Sequence, residues 1–163
     1  MIRKATPADM AAIMHVVDAA KDIMRQSGNR HQWTDGYPSE SVIMDDIRRG
    51  AAYVMEADAA VVAYFAFLPS PEPTYAKIYD GAWTDDILPY HVVHRIASYP
   101  HVHGVFRHIM DFCFSHDRNI RIDTHRDNRI MQHCIARNGF RYCGIIHLAN
   151  GDERLAYQKI LQL

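Results

Sequence analysis

From Tyr90 to Thr124 the chain reads YHVVHRIASYPHVHGVFRHIMDFCFSHDRNIRIDT, a β-branched strand, a glycine, a helix and a second strand. Val105, Phe106, Ile109, Met110, Cys113 and Phe114 recur at helical spacing behind Gly104, whereas Ile120, Ile122 and Thr124 alternate with Arg121 and Asp123. Strands joined through a helix pair in parallel, and such crossovers are nearly always right-handed. This segment commits the chain to a sheet that contains a parallel pair covered by a helix.

The flanking segments fill in the rest of the sheet. MIRKAT reads as a short strand, and TPADMAAIMHVVDAAKDIM as a helix capped by Thr6, opened by Pro7 and carrying Asp9 in its first turn. RQSGNRHQWTDGYPSE breaks the pattern and is a loop. PSESVIMDDIRRG is a second helix, with Ser39 or Ser41 as cap, Gly50 at its end and DDIRRG as a solvated helix end. AAYVMEADAAVVAYFAF is a hairpin turning at EADA, and the proline-rich LPSPEPTYAKIYDGAW is a connection with a short strand at AKIYDG. DNRIMQHCIARNGF is a helix that starts at Asp127 or Asn128 and closes at Asn138-Gly139. FRYCGIIHL and ERLAYQKIL form a last hairpin around Asn150-Gly151. The expected order is β-α-α-β-β-β-α-β-α-β-β: an α/β fold with a mixed, mostly antiparallel sheet and helices on both faces.

At 163 residues the chain is one domain's worth, residues 1–163, able to bury roughly 68–70% of its unfolded surface without disulfides or a structural metal. Its formal net charge of −1 argues against nucleic acid or a polybasic membrane contact as partner. Cys113, Cys134 and Cys143 lack CxxC spacing and read as reduced thiols. No apolar leader follows Met1, and no run approaches the roughly eighteen apolar residues of a membrane span, so the expected location is cytoplasmic.

The junction at Gly104 carries the chemistry. A helix N-terminus exposes unpaired N–H groups and the positive end of its dipole, which attract phosphate, and a glycine there admits close approach. Taken alone, the junction reads more readily as a bend beside exposed His101 and His103. His91-x-x-His94 and His101-x-His103 have no further ligand at metal spacing, so no metal is expected.

HVHGVF between the fourth strand and third helix, followed by NRIMQHCIARNGF, resembles the GNAT superfamily of acyl-CoA-dependent N-acetyltransferases. That family's phosphate loop has the form Q/R-x-x-G-x-G/A. Gly104 matches the first glycine, while His101 and Phe106 depart from the pattern. Asn128, Gly139 and Phe140 match the second signature, and the likeness runs from IRKATPAD to LAYQKI.

The resemblance implies acetyl-CoA as cosubstrate, a primary amine on a small molecule or peptide as acceptor, and a possible homodimer. It places coenzyme A on Ile96, Ala97 and Ser98 of the fourth strand, on His101, Val102, His103, Gly104, Val105, Phe106 and Arg107 of the loop and helix start, and on Asn128. Candidate bases are His94, Tyr90, His91 and His125, with His94 expected to share a face with Ile96 by strand alternation. Trp33, Tyr37, Tyr79 and Trp83 lie in the segments expected to admit the acceptor. Ile135 stands where many family members place a proton-donating tyrosine. The alternative is a non-catalytic acyl-CoA-binding or sensor domain of the same fold.

Overall fold

The computed structural model describes residues 1–162; Leu163, the last residue of the expected unit, lies outside the described residues. Its elements are β1 (Ile2–Lys4), α1 (Met10–Gln26), α2 (Glu40–Arg48), β2 (Ala52–Ala57), β3 (Ala60–Pro69), β4 (His91–Ser98), α3 (Val105–Phe114), β5 (Asn119–Thr124), α4 (Arg129–Arg137), β6 (Arg141–His147) and β7 (Glu153–Ile160), in the expected order. Short 3-10 turns add Pro7–Asp9 and Pro73–Tyr75. The seven strands form one sheet in the order β1-β2-β3-β4-β5-β7-β6. β4 and β5 pair in parallel, and every other neighbouring pair is antiparallel.

Local chemistry explains most boundaries. The Thr6 N–H donates to the Asp9 carboxylate at 2.8 Å, and Ser39 Oγ accepts from the Val42 N–H at the start of α2. The β2–β3 loop is Asp58 and Ala59, both at positive φ, the twist a tight hairpin requires. Asn128 caps α4, its side-chain oxygen accepting from the Met131 N–H at 3.0 Å. The β6–β7 turn closes through Gly151 at φ 91°, whose N–H donates to Leu148 O. AKIYDG forms an isolated bridge, Tyr79 to Ile145, in place of the expected strand.

Strand alternation divides the core between the two faces of the sheet. On one face, Phe65, Phe67, Val93, Ile120, Ile122 and Tyr157 pack under Phe106, Ile109, Met110 and Cys113 of α3 and Ile135 of α4. On the other, Val54, Tyr64 and Ala97 pack under Ile13, Val16 and Val17 of α1 and Ile43 of α2. Each fully buried aliphatic or aromatic side chain here contributes about 1.5–3 kcal/mol. Tyr75 and Trp83 cover the far end of this second face against Val92, Ile146 and Ala156.

Two sequence expectations fail at this level. Asp46 of DDIRRG is 1% exposed rather than solvated, because α2 turns it toward the sheet beside Ile43. His94 and Ile96 do not share a face. A bulge in β4 sets Arg95 at φ 57° and shifts the register between Tyr64↔Ala97 and Ala66↔His94. Ile96 packs toward α3 and α4, whereas His94 meets Glu72 and Tyr75 on the opposite face. The three cysteines are free, and among the described residues no helix is long and apolar enough to cross a membrane.

Candidate active site

The parallel pairing of β4 with β5 covers only His91↔Ile120 to Val93↔Ile122, although β4 continues to Ser98. Beyond Val93 the two strands part. β4 stays paired with β3 on one side, through Ala63↔Ser98 and Tyr64↔Ala97, and its other edge faces the gap. A cavity of about 590 Å³ opens there. Its walls include His94, Arg95 and Ile96 of β4, Asp123 and Thr124 of β5, and Trp33 and Tyr37 of the α1–α2 loop. Thr124 is fully buried at this wall, and its hydroxyl has no hydrogen-bond partner among the described residues.

The open edge leads to the start of α3. Gly104 caps that helix at φ 73°, the left-handed region that costs other residues about 1–2 kcal/mol. The N–H groups of Val105, Phe106 and Arg107 have no main-chain acceptor among the described residues, as the first helical turn dictates. A Cβ on Gly104 would meet nothing closer than the His108 ring at 3.8 Å, so the corner is open. Phe106, the departure from the glycine pattern, turns its ring into the core and leaves its amide at the helix start. His101, His103 and Arg107 are exposed around this corner, while Val102 packs on the core and donates its N–H to Tyr99 O. Of Ile96, Ala97 and Ser98, only Ile96 lines the cavity; Ala97 packs under α1.

At the other end, His94 lies between two carboxylates. Its Nε2 is 3.5 Å from Glu72 Oε2 and its Nδ1 is 3.9 Å from Asp123 Oδ2. Burial, with the Asp123 charge next, pushes the Tyr75 phenol well above its ordinary value, so it remains a proton donor to Asp123 at 2.5 Å. Burial alone would raise the Glu72 carboxyl, but hydrogen bonds from His94 and Thr74 outweigh it and hold it at about 2. A carboxyl held below its unfolded value of 4.5 contributes stability that is full above that pH and lost as pH falls through the folded value. Wild-type protein should therefore lose roughly 2 kcal/mol of stability through this group between pH 6 and pH 3. Glu72→Gln should flatten that part of the curve, and equal slopes in pH-dependent melting would contradict it.

The other residues expected at the site are scattered. Tyr90 lies outside the cavity lining; its hydroxyl accepts from the Glu72 N–H at 3.0 Å and its ring lies on Arg121 at 3.9 Å, a supporting position. His125 borders a smaller, adjacent cavity of about 480 Å³ with His31 and Glu153. Its Nδ1 accepts from the Asp127 N–H at 3.0 Å, and burial together with the nearby Arg154 charge lowers its pKa. Trp33 and Tyr37 line the main cavity. Trp83 does not: it is buried, donates to Tyr75 O at 3.0 Å and stacks on Arg121. Tyr79 is half exposed beside His147.

Asn128 is spent on structure as well as position. Its oxygen caps α4 and its Nδ2 donates to Gln32 Oε1 at 2.9 Å, tying the α1–α2 loop to α4. Ile135 is fully buried in the core, so α4 offers no hydroxyl there. Sequence reasoning missed Glu72, Asp123, Arg95 and Arg154 of the cavity wall. Among the described residues no three His, Cys, Asp or Glu side chains group so as to hold a metal ion.

No family model matches the chain, and no curated protein does. Solved structures do. All of this chain aligns with 96% of an acetyltransferase of the GNAT family from Streptococcus agalactiae 2603, at 34% identity and a TM-score of 0.91. The chain belongs to the GNAT acetyltransferase family. A GNAT acetyltransferase from Listeria monocytogenes 4b F2365 aligns over 99% of this chain and 94% of its own length, at 20% identity and a TM-score of 0.73. GphF, a GNAT-like decarboxylase in complex with isobutyryl-CoA, aligns over 99% of this chain and 100% of its own, at 14% identity and a TM-score of 0.67. These two share the GNAT fold: the mixed sheet with helices on both faces described above.

Proposed function

We propose that this GNAT protein, residues 1–163 acting as one unit, moves an acetyl group from acetyl-CoA to a primary amine on a small molecule or peptide. The observation that carries the reading is continuity: the unpaired edge of β4 runs from beside His94 to the free amides behind Gly104. The N–H groups of His103 to Arg107 would hold the diphosphate, since a helix start supplies both donors and a positive dipole end. The β4 edge at Ile96 and the orphan Thr124 hydroxyl would receive the amide-bearing arm. The acetyl thioester supplies an activated acyl group: the amine nitrogen bonds to the acetyl carbon, the C–S bond breaks, and coenzyme A leaves as a thiolate.

The chain's own part is to deliver a neutral amine and to steady the charge that develops. Glu72 and Asp123 attract the ammonium, His94 takes its proton, and the same carboxylates stabilise the imidazolium that results. A main-chain N–H on the open edge of β4 would steady the negative charge gathering on the acetyl oxygen. Tyr37 Oη accepts from Arg95 at 3.0 Å, which leaves its own proton free for the departing sulfur.

A second reading rests on Ile135. With the usual tyrosine position closed into the core, the chain would bind acyl-CoA without transfer, as a sensor. Thiol release separates the two, because a sensor gives none across a broad amine panel.

Binding itself is tested by melting. Acetyl-CoA at 100 times its dissociation constant stabilises by about 2.7 kcal/mol, a rise of roughly 5–10 °C for a chain of this size. Gly104→Glu sets a negative side chain where the diphosphate would sit and should abolish the rise. A folded Gly104→Glu protein that shifts like wild type would remove the phosphate corner from this reading.

A further inference from the structure

The transfer reading gives no role to Arg154, on the β7 wall of the same cavity. Arg154 is 5% exposed, and its guanidinium donates only to main-chain oxygens, those of Glu153 at 2.9 Å and Gln32 at 3.2 Å. No carboxylate pairs with it among the described residues. The other largely covered arginines, Arg95 and Arg121, are compensated. Arg95 is clamped by Asp46, and Arg121 reaches Asp86 at 3.2 Å between the faces of Trp83 and Tyr90. A buried charge without a counter-charge costs several kcal/mol, so a cavity-lining guanidinium in this state is built for an anion that arrives with a ligand.

The acids nearby are already engaged. Glu153 pairs with Arg126, Asp152 accepts from Asn150, and Asp123 is held by Tyr75 beside His94. Asp123 opposes Ala156 in the β5–β7 register, which makes Arg154 its diagonal neighbour on the same face of the sheet, with backbones roughly 7–8 Å apart. One wall therefore presents carboxylates that suit an ammonium and, one diagonal step away, a fork that suits a carboxylate.

We propose that the acceptor is zwitterionic, an amino acid or short peptide with a free carboxylate, held by Arg154 while Glu72, Asp123 and His94 receive its ammonium. This rests on the transfer reading above.

The test measures thiol release from acetyl-CoA by the whole protein with matched acceptors: a set of amino acids, their carboxamides, and the amines lacking the carboxyl group. Wild type should prefer the free acids over the carboxamides by at least about 30-fold in kcat/KM, the range expected when a buried charge loses its partner. Arg154→Gln should reduce that ratio to near one, mainly through KM for the acids, and Arg154→Lys should restore only part of it. Equal use of acids and carboxamides by wild type overturns the inference without any variant and leaves the transfer reading standing. Thiol release with none of the acceptors, while acetyl-CoA still raises the melting temperature, overturns both.

Discussion

His94→Ala is expected to lower the rate of acetyl transfer by about 10²–10⁴-fold, the usual contribution of a positioned base, or roughly 3–5 kcal/mol of barrier. The melting rise with acetyl-CoA should persist, because the corner at Gly104 proposed to hold the diphosphate lies at the opposite end of the β4 edge from His94. Steady-state thiol release separates these effects. A pH profile adds a readout that a merely supporting role would not move. Glu72, held at about 2, is ionised throughout any workable assay and acts as a fixed negative charge beside the imidazole. Removing that charge in Glu72→Gln disfavours the imidazolium, so the acidic limb of kcat/KM should move to lower pH. An His94→Ala protein within threefold of wild type would take the base away from this position.

The same cluster shows where a sequence stops being legible. The parallel unit from Tyr90 to Thr124 could be read because periodicity there is local, at 3.6 residues in α3 and two in β5. Gly104 was readable as a helix start for the same reason, although the junction alone left a plain bend open beside an anion corner. The bulge at Arg95 carries no such mark. HRIAS contains neither Gly nor Asn, so nothing signals a positive φ, and strict alternation puts His94 beside Ile96 when the bulge separates them. Glu72 and Asp123 reach His94 from separate segments, one a proline-rich connection and the other the end of β5. Only the pairing of β3 with β4 and β4 with β5 brings them together, and that information is long-range. Trp83 and Tyr79 lie off the cavity for a related reason: beyond Thr74 the connection that bears them folds over Val92 and Ile146 at the sheet's far end. Asp46 did have a signal. It follows Ile43 by three positions and so shares the buried face of α2.

Asp46 is also where the largest loss of stability is expected. It is 1% exposed and accepts from the Tyr64 hydroxyl at 2.5 Å and from Arg95 through both carboxylate oxygens, with Nε at 2.9 Å. Burial opposes the charge on Arg95, but the pairing with Asp46 more than offsets this and leaves the guanidinium firmly protonated. Arg95 is thus a charge the fold must keep, at a strand position with a left-handed backbone, on the wall of the cavity. Asp46→Asn preserves shape and removes the counter-charge, stranding Arg95. Breaking a buried pair from one side costs about 3–5 kcal/mol, which for a chain of this length lowers the melting temperature by roughly 6–20 °C. If the loss comes from the stranded charge, removing that charge as well must return much of it. Asp46→Asn with Arg95→Met should therefore melt well above Asp46→Asn alone, a coupling a double-mutant cycle reads directly. Additive losses would mean that the pair contributes packing rather than charge compensation, and that the β4 bulge is held by the sheet itself.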